Sequence, residues 1–135
     1  ASGKGNPIKV GYYGATNKLG LFLGDGSAET VSSSSTLQSA STWTYLAITM
    51  SSTTYQFYFN GNTDGSGTNS ATRTNNAAVN CTLGTNSGVG TEWYAGKMDE
   101  LRISTTARSA DWIKTTYNNQ SSPATFYTLG GEIAL

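Results

Sequence analysis

The sequence predicts an all-β domain with one short helix near its C-terminus. Three observations carry that prediction. Helix formers are scarce, whereas Ser and Thr together supply roughly a quarter of the chain, well above ordinary usage. There are 16 Gly but only 2 Pro, and the 36% hydrophobic content is rich in aromatics. Short apolar runs of period two recur between polar, glycine-bearing turns, as strands joined by hairpins do. At 135 residues the chain forms one domain, 1–135.

In chain order, Ile8 to Tyr13 alternates Ile8, Val10 and Tyr12 against Lys9, Gly11 and Tyr13, the pattern of a half-buried strand. After a turn at 14–18, Leu19 to Leu23 returns as a more apolar strand, closed by the turn Gly24-Asp25-Gly26-Ser27. Glu29 to Ser32 is expected to pair briefly, and the Ser/Thr stretch from Ser32 to Ser41 reads as a surface loop. Trp43 to Met50 is apolar on both faces, with Leu46, Ile48 and Met50 on one and Trp43, Tyr45 and Ala47 on the other. Such a strand belongs inside a two-layer structure, which places Trp43 in the core. Ser51 to Thr54 forms a tight loop to the partner strand Tyr55–Phe59, with Tyr55, Phe57 and Phe59 facing one way and Gln56 and Tyr58 the other. Asn60-Gly61 ends it with a strong hairpin dipeptide. Asn62 to Gly67 reads as a polar loop, Ala71 to Asn75 as a weak edge strand, and Val79 to Leu83 as another strand.

The run Trp93 to Ser104 is β-compatible but carries a conflict. Tyr94, Gly96 and Met98 share one face, whereas Leu101 and Ile103 share the opposite one. A strand buries both sets only if its register slips between them, so a β-bulge is expected at Asp99-Glu100. Ser109 to Tyr117 then reads as the one helix, with Ser109 as N-cap and Asp111 in the first turn. Trp112, Ile113, Thr116 and Tyr117 fall on its inner face.

Composition excludes several function classes. With 8 basic and 8 acidic residues the formal net charge is zero, without the basic footprint that nucleic-acid binding demands. The single cysteine, Cys81, forbids an internal disulfide and a Cys-x-x-Cys metal site. The absence of histidine removes Ser-His and Cys-His nucleophile systems and the usual zinc ligands. No apolar run approaches a membrane span, so no membrane partner is expected. Low charge and a Ser/Thr/Asn surface suit an extracellular or cell-surface protein.

The segments Trp43–Thr49, Tyr55–Gly61, Leu83-Gly84, Gly96–Ile103 and Ala107–Ile113, in this order and spacing, resemble the laminin-G-like members of the concanavalin-A-like lectin/glucanase superfamily. The resemblance covers about residues 40 to 127. It implies a jelly-roll β-sandwich and a chain that starts after the family's usual first strands. Either those strands belong to another chain, or the sequence is a trimmed fragment, or the fold is simplified; the expectation taken forward is a partner chain or self-association that completes the sandwich.

Candidate site residues follow. Asp99 and Glu100 are adjacent carboxylates, but the related glucanases carry a closely spaced acidic triad on one strand, which this sequence lacks, so no catalytic residue is assigned. The resemblance implies that calcium is sometimes bound near this position, with Asp99 as its ligand; the alternative is a structural Asp99 that bonds loop amides. Asn60 to Gly65 superficially matches the start of an EF-hand loop, but Ala71 stands where its bidentate Glu should be, so the hairpin reading is preferred. For a carbohydrate ligand, aromatic rings stack on apolar sugar faces while amides bond hydroxyls. Trp93, at a loop–strand junction, and neighbouring Asn86 are the first expected contacts, with Tyr13 and Tyr58 behind them. Trp112, on the helix's inner face, is expected in the core. The sequence thus points to a non-catalytic, carbohydrate-binding (lectin-like) module of a larger protein, with polysaccharide or glycan as partner. An adhesive protein–protein module and a fragment of a glycoside hydrolase are the alternatives.

Overall fold

The computed structural model describes residues 8–13, 18–23, 29–36, 41–68, 81–85, 93–126 and 130. Six strands form two antiparallel meanders. The first sheet takes β1 (Ile8–Tyr13), β2 (Lys18–Leu23) and β3 (Glu29–Thr36) in that order. The second takes β4 (Leu46–Ser51), β5 (Thr54–Phe59) and β6 (Asn62–Thr68). Helix α1 (Ala110–Ser121) follows, and a single turn, α2 (Pro123–Phe126), comes after it.

The sheets meet through their central strands. Leu19 and Leu21, two apart on β2, share a face, and with Phe57 of β5 they form the buried core. Ile48, Met50, Tyr55 and Phe59 pack around it. A strand flanked on both sides keeps its inward residues from water; an edge strand cannot. Val10 pairs directly with buried Leu21, yet Val10 and Ile8 stay exposed, because among the described residues β1 has β2 as its neighbour on one side alone.

Two hairpin turns and a bulge set the second sheet. Ser51 pairs with Thr54 across a two-residue loop, where Ser52 has φ 51°. Phe59 pairs with Asn62 across Asn60 (φ 48°) and Gly61 (φ 73°), and positive φ at both central residues is the type I′ geometry that favours Asn-Gly. The hairpin reading of this dipeptide therefore holds. Register then slips: Gln56 pairs with Ser66 but Tyr58 with Thr63, leaving Asp64 and Gly65 opposite Phe57. The Gln56 side-chain amide lies across this bulge, its Nε2 donating to the carbonyls of Phe57 (2.9 Å), Gly65 (3.1 Å) and Asp64 (3.3 Å). β5 keeps continuous register with β4, so Phe57 and Tyr58 point to opposite faces, and both are buried.

Several expectations change. Residues 62–68 are a strand rather than a loop, and β3 runs on to Thr36 instead of stopping at Ser32. Both are polar, and their pairing comes from a neighbour's backbone, which leaves no hydrophobic period to read. Trp43 precedes β4 and is 66% exposed, not core. The weak strand expected at 71–75 lies outside the described residues, as do Val79 and Asn80.

Helix α1 begins as expected. The Ser109 Oγ accepts from the Trp112 N–H at 3.2 Å, and the Ser109 carbonyl accepts the first helical bond from Ile113 at 3.1 Å. The helix extends to Ser121, where the Ser122 N–H donates back to Asn118. Ile113 is buried and Tyr117 half-buried, but Trp112 is exposed beneath the Arg108 guanidinium, 5.1 Å from its ring centroid. The inner face is thus narrower than the sequence pattern implies.

The helix docks on the Asn60-Gly61 turn. Gly61 is buried against Tyr117 and Lys114, and the Lys114 Nζ donates to Asn62 Oδ1 at 2.9 Å. Asn60 ties the turn to the start of β4: its N–H donates to the Tyr45 carbonyl (2.9 Å) while its Oδ1 accepts the Tyr45 N–H (3.0 Å). The Tyr45 and Tyr117 rings meet at 5.9 Å.

Candidate functional site

Residues 81–85 and 93–104 form an irregular ledge beside the sheets. Gly84, at φ 75°, turns the first segment so that its carbonyl accepts the Tyr94 N–H at 2.8 Å, and Thr85 bridges Trp93 antiparallel. The Thr82 Oγ1 donates to the Thr85 carbonyl at 2.9 Å and holds this turn. Trp93 is therefore anchored by backbone while its side chain stays 69% exposed. The Tyr94 ring lies over Gly96, where a Cβ would come 2.7 Å from the ring, and Met98 reaches Gly84. Neighbours on an extended chain point to opposite sides, so Tyr94 and Met98 support the ledge and Trp93 stands on the other side of it.

Beyond this anchor the expected strand and bulge are absent. Glu100 does bend the chain, at φ 53°, and the Asp99 Oδ1 accepts its N–H at 2.8 Å. Among the described residues no ladder forms on either side, however, and Tyr94, Met98, Leu101 and Ile103 are exposed rather than buried. The bend matches the sequence conflict, but the surfaces flanking it are not covered by the described residues.

The acidic pair is committed locally. Arg102 donates to Glu100 Oε2 through Nη2 (2.6 Å) and Nε (3.2 Å), an exposed ion pair between residues two apart on one side of the chain. Calcium needs six to eight oxygen ligands, by the usual ranges roughly. Here one carboxylate caps a backbone amide and the next faces a guanidinium, and among the described residues no three acidic, cysteine or histidine side chains cluster. The described residues do not fit calcium at Asp99. Arg102 also lies near Tyr45, whose hydroxyl pKa is raised by desolvation and partly pulled back by the Arg102 charge.

Trp93 is displayed. Tyr58 is 5% exposed and belongs to the interior: it points to the face of β5 opposite Phe57, and that face is covered as well. Tyr13 closes β1, paired with Lys18, far along the chain from the ledge, and Asn86 lies outside the described residues. Tyr94 and Arg102 were passed over in the sequence. The Glu100-x-Arg102 spacing, which puts opposite charges on one side of an extended chain, was a legible signal for the second.

A family model described as laminin G 3, of the concanavalin A-like lectin/glucanases superfamily, matches residues 1–127. The chain belongs to that superfamily. The two antiparallel sheets and C-terminal helix agree with membership. No curated protein matches the chain. Among solved structures it is similar to an S-layer domain-containing protein from Clostridium thermocellum, at 23% identity and a TM-score of 0.45. That match covers 87% of this chain, which spans 65% of the other.

Proposed function

We propose that this laminin-G-like chain is a non-catalytic carbohydrate-binding module of a larger secreted or cell-surface protein, with its sheets closing as a jelly roll. One observation carries the reading. Trp93 is fixed through its backbone to Gly84-Thr85, yet presents most of its indole to solvent. A pre-anchored aromatic loses little conformational freedom when a sugar face stacks on it, which favours affinity. Tyr58 leaves the proposal because of its burial, and Asp99 enters it without calcium. Adjacent carboxylates engaged by an amide and a guanidinium, on an exposed ledge, also differ from the facing pair about 5–10 Å apart that glycoside hydrolysis uses.

The test is retention on a panel of insoluble and gel-embedded polysaccharides. Wild type should be retained by at least one, and Trp93→Ala should abolish retention while leaving Tm nearly unchanged, since an exposed ring contributes little to folding. Retention indifferent to Trp93→Ala, or no retention of wild type by any polysaccharide, overturns the reading.

A second reading, an adhesive protein–protein module, draws on a different observation. Among the described residues, 95–108 make no backbone–backbone hydrogen bond, and their large apolar side chains are exposed.

A further inference from the structure

The segment after Glu100 combines three features that a closed protein avoids together. Leu101 and Ile103 are 65% and 84% exposed on one side of the chain. Among the described residues the backbone of 101–103 has no hydrogen-bond partner, which makes it a template for another strand. Glu100 stands in the left-handed region, a strained conformation for a residue with a side chain.

We propose that residues 99–103 form a homodimer interface in which two copies of the chain pair as antiparallel strands about Leu101. The charges select this register. With Leu101 opposite its own copy, each Glu100 lies opposite the other copy's Arg102, and both pairs are complementary. Shifting the two-fold by one residue either way sets Glu100 against Glu100 or Arg102 against Arg102. Shifting it to Ile103 leaves both charges without partners and breaks the turn in which the Ser104 Oγ accepts the Thr106 N–H at 3.2 Å. In the chosen register the monomer's exposed Glu100–Arg102 pair, of little worth in water, is exchanged for two between copies. Glu100 becomes extended and loses its strain. Leu101 and Ile103 of both copies then share one face, with Asp99 at the ladder's ends. This interface is independent of the Trp93 reading, because Trp93 lies outside the ladder.

Sedimentation equilibrium of the full chain over a concentration series tests it. Wild type should dimerise reversibly, and more weakly at high salt. Glu100→Arg and Arg102→Glu each place like charges opposite one another and should raise the dissociation constant about tenfold or more. Mixing the two variants one to one makes both pairs complementary again and should restore a dimer. Leu101→Glu, with a carboxylate facing its own copy across the axis, should be monomeric alone and in either mixture. The proposal is overturned by a wild type that stays monomeric throughout, by single variants that dimerise as wild type does, or by a mixture that fails to recover the dimer.

Discussion

Substituting Gly61 by Ala tests how the helix is held to the sheet. Two costs are readable from the geometry. Gly61 has φ 73°, where a side chain costs about 1–2 kcal/mol. Its new Cβ would lie 2.9 Å from Tyr117 Cβ and Cδ1 and 3.0 Å from Lys114 Cδ. Tyr117 Cβ is fixed to helix backbone and cannot swing aside, so α1 must shift or the turn must open, adding roughly 1–3 kcal/mol of overpacking. The total, roughly 2–5 kcal/mol, is a large part of a stability on the order of 5–15 kcal/mol. Gly84→Ala is the matched control. Its φ is 75°, but the nearest atom to a Cβ is Met98 Cε at 3.1 Å, the mobile end of a flexible side chain, so the left-handed cost stands nearly alone. Urea unfolding of both variants at one protein concentration, which keeps any dimer linkage constant, gives the two values. Gly61→Ala should be the more destabilising by roughly 1–3 kcal/mol. Equal losses, or a larger loss at Gly84, would refute the docking of α1 on this turn.

Two further outcomes follow from the same framework. Ser109→Ala removes the acceptor for the Trp112 N–H and should cost about 1 kcal/mol, seen as a lower urea midpoint with an unchanged slope, whereas Ser109→Asp should retain most of the stability. Tyr45 titrates above its ordinary 10.0 in the folded state because burial disfavours the phenolate, partly offset by Arg102. A raised folded pKa means its contribution is complete below pH 10.0 and is lost as pH rises through the folded value. Tyr45→Phe should therefore show a shallower fall in Tm above that pH than wild type, and parallel curves would contradict it.

Local signals that act between near neighbours were legible. The Asn60-Gly61 hairpin, the Ser51–Thr54 loop, the Ser109 cap and the antiparallel partners 46–51 and 54–59 all follow from residues within a few positions of one another. Strands β3 and β6 were partly or wholly missed because Ser, Thr, Asn and Gly carry no apolar period. Their pairing is dictated by a partner's exposed backbone, a property of the neighbour. At the site, the junction position of Trp93 signalled its exposure, whereas Tyr58 misled because an alternation count does not show that both faces of β5 are covered. Trp43 and Trp112 misled differently: an apolar residue type states a preference for burial, not whether a surface is present to supply it.

By itself the sequence determined the class and the hairpin turns at 52–53 and 60–61, since composition, period and turn chemistry are local and survive without any knowledge of contacts, and the order of its segments determined the family. It also located the conflict at Asp99-Glu100, because side-chain alternation alone cannot satisfy both flanks. Tertiary structure decided how that conflict resolves. Glu100 turns left-handed against Asp99 and Arg102, and Leu101 and Ile103 face solvent. Which face of a strand is buried depends on what packs against it, and that is fixed by distant segments rather than by the strand.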